Sequence, residues 1–124
     1  MDATYWGRRF GVVIMKDHIS CRVLWYKFID KKETIADNRE SISYLELHKY
    51  NILGIVSDDL KGLRQEFCQY RFQHSQFHQV MTVKARLTLH PKLQASQELL
   101  AIAKILCHTE KDSFIGALAA WYEK

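Results

Sequence analysis

The stretch Asn51 to Gly62, NILGIVSDDLKG, limits what this chain can fold into more than any other. Ile52, Leu53, Ile55 and Val56 are too few for an independent helix, and their β-branched content reads as a short strand buried on both faces. Two adjacent carboxylates, Asp58 and Asp59, close the run abruptly. A central strand of an α/β fold is expected here, with an acidic pair where such folds open a crevice at the sheet rim.

Elements on either side of this strand follow from periodicity. Met1 to Trp6 and Phe10 to Met15 read as two strands joined by a tight turn at Gly7, which tolerates positive φ. Cys21 to Ile29 gives a third strand, apolar in both phases, so the three form an antiparallel meander. Thr34 and Asp37 form a capping box for a helix whose stripe is Ile35, Ile42 and Leu45. Asn38, Arg39, Glu40 and Glu46 are assigned to its wet face.

After the Asn51–Val56 strand, a second helix is predicted from about Asp59 to Tyr70, and Phe72 to Ser75 adds a fifth strand, parallel to the fourth across a helical crossover. The predicted order is βββαβαβ. Beyond Phe77 only helical patterns occur. One carries Phe77, Val80, Met81, Lys84 and Leu87; the next restarts at Pro91 and carries Leu93, Leu99, Leu100, Ala103 and Leu106; the third is capped by Thr109 with Asp112 and presents Phe114, Ile115, Leu118, Trp121 and Tyr122. The predicted division is residues 1–78 as core and 79–124 as a helical segment, packed as one compact unit.

Composition narrows the class. A chain of 124 residues with 48% hydrophobic residues and one proline has enough apolar content for one packed domain, and no stretch of apolar residues is long enough to span a bilayer. Cys21, Cys68 and Cys107 are far apart and lack CxxC spacing, which indicates neither a disulfide framework nor a zinc ribbon and fits reduced thiols in a cytoplasm. The net charge of +4 favours an acidic partner without demanding one.

Several residue groups are candidates for chemistry. If Asp2, at the start of the first strand, meets Asp58 at the end of the fourth, the two carboxylates supply hard oxygen ligands for Mg²⁺ or Mn²⁺. The competing reading makes Asp58 or Asp59 a helix N-cap and Asp2 a solvated terminus. His74 and His78, four apart, lack a nearby thiol and make a poor zinc pair. Ser75 with His78 has no glycine elbow and is no nucleophile dyad. Arg8, Arg9, Lys31 and Lys32 are most simply solvated, and contact with phosphate is their second reading.

The blocks DATYWGRRFGVVIMKD, LWYKFIDKKETIAD, ILGIVSDDLKGL and QHSQFHQV, continuing through PKLQASQELL, closely resemble the catalytic core of bacterial insertion-sequence transposases of the DDE class, in the mutator-like branch. The resemblance covers essentially the whole chain. It implies an RNase H-like fold: a mixed five-stranded sheet followed by C-terminal helices that begin a helical insertion. It also implies DNA transposition by two-metal phosphoryl transfer with Mg²⁺ or Mn²⁺, cutting element terminal repeats and joining 3′ ends to target DNA. Asp2 and Asp58 fall on the family's first two metal-binding carboxylates, and His78 falls on the histidine of its C-Q-F-H block.

Three departures from the family pattern accompany the match. Asp59 stands at a turn glycine, Ser75 replaces the cysteine, and only Met1 precedes the first Asp. The family's third carboxylate, a Glu beyond the insertion, has no counterpart before Lys124, and Glu98, Glu110 and Glu123 sit on the helices that begin the insertion. The resemblance therefore implies a truncated transposase core, located in the cytoplasm of a bacterium and expected to be inactive or nearly so by itself. Its partners would be DNA, a second copy of itself or a full-length transposase. The alternatives are a non-catalytic DNA- or transposase-binding remnant and an RNase H-like nuclease that recruits Glu66, Glu98 or Glu110.

Overall fold

The computed structural model describes residues 1–58 and 60–124, so Asp59, the expected turn position, lies outside the described residues. Two compact units follow one another along the chain, Met1–His74 and Ser75–Lys124. The elements of the first are β1 (Asp2–Trp6), β2 (Phe10–Lys16), β3 (Val23–Ile29), α1 (Ile35–Leu47), β4 (Ile55–Ser57), α2 (Leu63–Glu66) and β5 (Phe72–His74). The order is the βββαβαβ read from periodicity.

The five strands form two sheets, which corrects the expectation of one mixed five-stranded sheet. β1, β2 and β3 make an antiparallel sheet in that order, and β4 pairs with β5 in parallel. Where β1 would meet β4, the bond seen among the described residues runs from the Met1 amine to the Val56 carbonyl at 2.8 Å. A ladder needs successive bonds, and β1 begins at Asp2, just where it would have to run beside β4. β4 is also not buried on both faces, since one of its faces meets no covering layer. Ile55 and Ser57 are buried, whereas Val56 and Leu53 are exposed.

α1 forms where expected because its start is capped reciprocally: Thr34 Oγ1 accepts from the Asp37 amide and Asp37 Oδ2 accepts from the Thr34 amide. Its Ile42 and Leu45 join Met15, Ile55, Leu63 and Phe67 in the core of the first unit. Lys27 of β3 reaches across to Asp37 at 3.1 Å and Glu40 at 2.5 Å, fixing the helix on the sheet. Asn38, assigned to the wet face, is fully buried, because its amide serves a buried acceptor rather than water.

α2 is far shorter than predicted. Gly62 has φ of 90°, a left-handed conformation, so the helix starts at Leu63, and it ends as the buried Phe67 leaves helical geometry.

The second unit contains α3 (Gln76–Leu87), α4 (Gln94–Lys104), a 3-10 turn (Leu106–His108) and α5 (Lys111–Tyr122). α5 is tied to α4 by the Trp121 indole N–H, which donates to the Ala95 carbonyl at 2.8 Å, and by the pair Lys124 and Glu98 at 3.2 Å. The expected Thr109 cap is not formed: Glu110 is the N-cap residue, and no side chain bonds the first turn. Among the described residues no helix is long and apolar enough to cross a membrane.

Candidate metal centre

The first unit brings two of the expected acids together. Asp58 directly follows β4, whose Ser57 is buried and lies opposite His74 in the parallel ladder. Asp2 opens β1, and the bond from the Met1 amine to the Val56 carbonyl holds that end of β1 against β4. Carboxylate oxygens of Asp2 and Asp58 consequently lie within 4.8 Å of one another, with Asp2 exposed and Asp58 half-buried. The helix-cap reading of Asp58 is excluded, since α2 begins at Leu63 behind Gly62.

The donor chemistry fits a hard divalent cation. Two carboxylate oxygens approaching from separate strands would supply hard ligands to Mg²⁺ or Mn²⁺.

A third acid accompanies the pair, one that sequence reading missed. Glu33 immediately precedes the cap of α1 and is only 8% exposed. Its Oε1 accepts from Asn38 Nδ2 at 2.6 Å, and its backbone N–H donates to the Tyr5 hydroxyl at 2.8 Å. Burial pushes its carboxyl above the usual glutamate range; the Asn38 amide pulls the other way, Asp58 and Asp2 add to the rise, and the Met1 amine opposes it. Burial likewise holds the Met1 amine below its ordinary value, against the pull of Asp2, Glu33 and Asp58. In the sequence Glu33 sits in the polar run DKKET and reads as a loop residue; only the tertiary approach of Tyr5 and Asn38 marks it.

His78 and Ser75 belong to the second unit, at the start of α3. Ser75 is the N-cap residue, its Oγ accepting from the His78 amide at 3.4 Å. This is work a serine hydroxyl does better than the cysteine of the resembled family. The His78 ring stands edge-on to Phe77 with centroids 5.6 Å apart.

Two of the glutamates considered as further acids pair elsewhere, Glu66 with Arg39 at 2.5 Å and Glu98 with Lys124 and Gln94, and Glu110 is the N-cap residue of α5. No protein-family model, curated protein or solved structure matches the chain.

Proposed function

We propose that the chain is a metal-dependent phosphoryl-transfer core of the DDE transposase type, with RNase H-like topology and DNA as its substrate. The observation that carries this reading is the approach of the Asp2 and Asp58 carboxylates to within 4.8 Å from two separate strands. The βββαβαβ order and the four sequence blocks support it.

In this reading Asp2 and Asp58 hold Mg²⁺ or Mn²⁺ at the carboxyl end of β4. Bound there, the ions would activate water and stabilise the leaving oxygen of a phosphodiester. His78, four residues beyond the end of β5, falls on the accessory histidine of the resembled family. The net charge of +4 favours association with the DNA backbone.

Nicking of an end-labelled duplex in Mn²⁺, by the full chain and by Asp58→Asn, tests the reading. Weak nicking that Asp58→Asn abolishes supports it, and equal nicking by both proteins overturns it. The second reading, a non-catalytic DNA- or transposase-binding module, is favoured by the engagement of Glu66 and Glu98 in ion pairs of their own. DNA retention that survives Asp58→Asn, with no cleavage at any protein concentration, would select that reading.

A further inference from the structure

Burying a glutamate beside two aspartates is costly unless something in the site uses its charge. Here Glu33 is held with care: Asn38 grips Oε1 at 2.6 Å, and the Tyr5 hydroxyl anchors the backbone at 2.8 Å. The clamp is itself built at a cost. Asn38 is fully buried, its Nδ2 is shared between Glu33 and the Thr34 carbonyl, and its Oδ1 has no partner among the described residues. A carboxylate committed to Asn38 through one oxygen, Oε1, keeps acceptor capacity on the other, which suits a ligand that brings hydrogens.

A hydrated divalent cation is such a ligand. Mg²⁺ dehydrates reluctantly and keeps several waters when only one or two carboxylates bind it directly. Each of those waters carries hydrogens polarised by the ion. Residues that receive them orient the shell and tune affinity, commonly by about tenfold to a hundredfold.

We propose that Glu33 is a third acid of the Asp2 and Asp58 cation site, placed by Asn38 and Tyr5 to accept hydrogen bonds from water in the ion's shell. It acts as a positioning residue. Asp2 and Asp58 are the acids whose ligand atoms come within 4.8 Å of one another, and Glu33 is not of that set. One oxygen of Glu33 is already committed to Asn38. The inference rests on the cation reading of Asp2 and Asp58, and it gives the first unit a third carboxylate at a place the resembled family's pattern does not mark.

The test is Mn²⁺ binding by the full chain, followed by water-proton relaxation and electron paramagnetic resonance, for the wild type, Asp58→Asn, Glu33→Gln and Glu33→Asp. Asp58→Asn is expected to abolish binding. Glu33→Gln is expected to weaken it about tenfold or more and to change the relaxivity of the bound ion, with Glu33→Asp recovering part of both. Binding and relaxivity of Glu33→Gln that match wild type while Asp58→Asn abolishes binding overturn the role of Glu33 and leave the cation site standing. Binding unaffected by Asp58→Asn overturns both. Titration of the wild type with Mg²⁺, read by carboxyl ¹³C shifts, removes any dependence on variant folding: Glu33 and Asp58 should move with one midpoint, and a Glu33 signal that stays still sinks the proposal.

Discussion

Asn38 donates its side-chain amide to Glu33 Oε1 at 2.6 Å, and both residues are buried, although Asn38 was read as helix surface. Replacing the donor leaves a buried carboxylate without its strongest neutral partner. Asn38→Leu is expected to cost about 1–3 kcal/mol, measured by urea unfolding at neutral pH. In a Glu33→Gln background the same substitution should cost less, because a neutral acceptor has less to lose, and a double-mutant cycle reads the difference.

Glu33 and Asp37 lie four residues apart and push the pH dependence in opposite directions. The Glu33 carboxyl is raised, chiefly by burial, with Asp58 and Asp2 adding to burial against Asn38 and the Met1 amine. Its contribution is therefore fully present below the unfolded pKa of about 4.3 and is lost as pH rises through the folded value. For Asp37, burial pushes up, but bonds from Thr34 and Lys27 outweigh it and hold the carboxyl low. That contribution is present above an unfolded pKa of about 3.9 and is lost as pH falls through the folded value. Urea midpoints across pH should thus decline on the alkaline side of about pH 4.3, a slope that Glu33→Gln flattens. Thr34→Ala should diminish the acid-side loss and lower stability at neutral pH by about 1 kcal/mol.

The parts of the fold that could be read ahead of the structure were those set by local chemistry. The Thr34 and Asp37 box, the meander turn at Gly7 and the parallel return from β4 to β5 each depend on residues near in sequence or on a simple period. Sheet closure was not legible, since whether β1 pairs with β4 depends on how many bonds the two strands can form side by side. That Asp2 and Asp58 come together was an expectation drawn from their places at strand ends and from a resemblance, whereas Glu33 had nothing local to mark it. Its significance comes from Tyr5, which is 28 positions away in the chain, and from a helix face whose polarity concealed a buried amide.

Tyr5 reaches Glu33 only because Gly11 lies under its ring. A Cβ at Gly11 would stand 2.6 Å from Tyr5 Cδ1 and 2.9 Å from the Thr4 carbonyl oxygen. Gly11→Ala must therefore move the ring and break the hydroxyl's bond to the Glu33 amide, at an expected cost of roughly 1–3 kcal/mol. Tyr5→Phe, which removes the hydroxyl and keeps the ring, should cost only about 1 kcal/mol. In a Tyr5→Ala background the Gly11→Ala penalty should shrink without vanishing, because the contact with the Thr4 carbonyl remains; thermal unfolding of the four proteins checks the order.

Asp58→Asn separates what the carboxylate costs the fold from what it does for a ligand. Without a cation, Asp58 raises the Glu33 carboxyl and so opposes its ionisation. The asparagine removes that repulsion, and the cation-free variant should be at least as stable as wild type at neutral pH, with the Glu33 titration moved to lower pH. With Mn²⁺ at a hundredfold excess over its dissociation constant, wild type should gain about 2.7 kcal/mol through linkage, and Asp58→Asn should gain none. Unfolding curves with and without Mn²⁺ give both quantities from one pair of proteins. A variant that loses stability in metal-free buffer and keeps the Mn²⁺ increment would assign Asp58 to the fold and not to a cation.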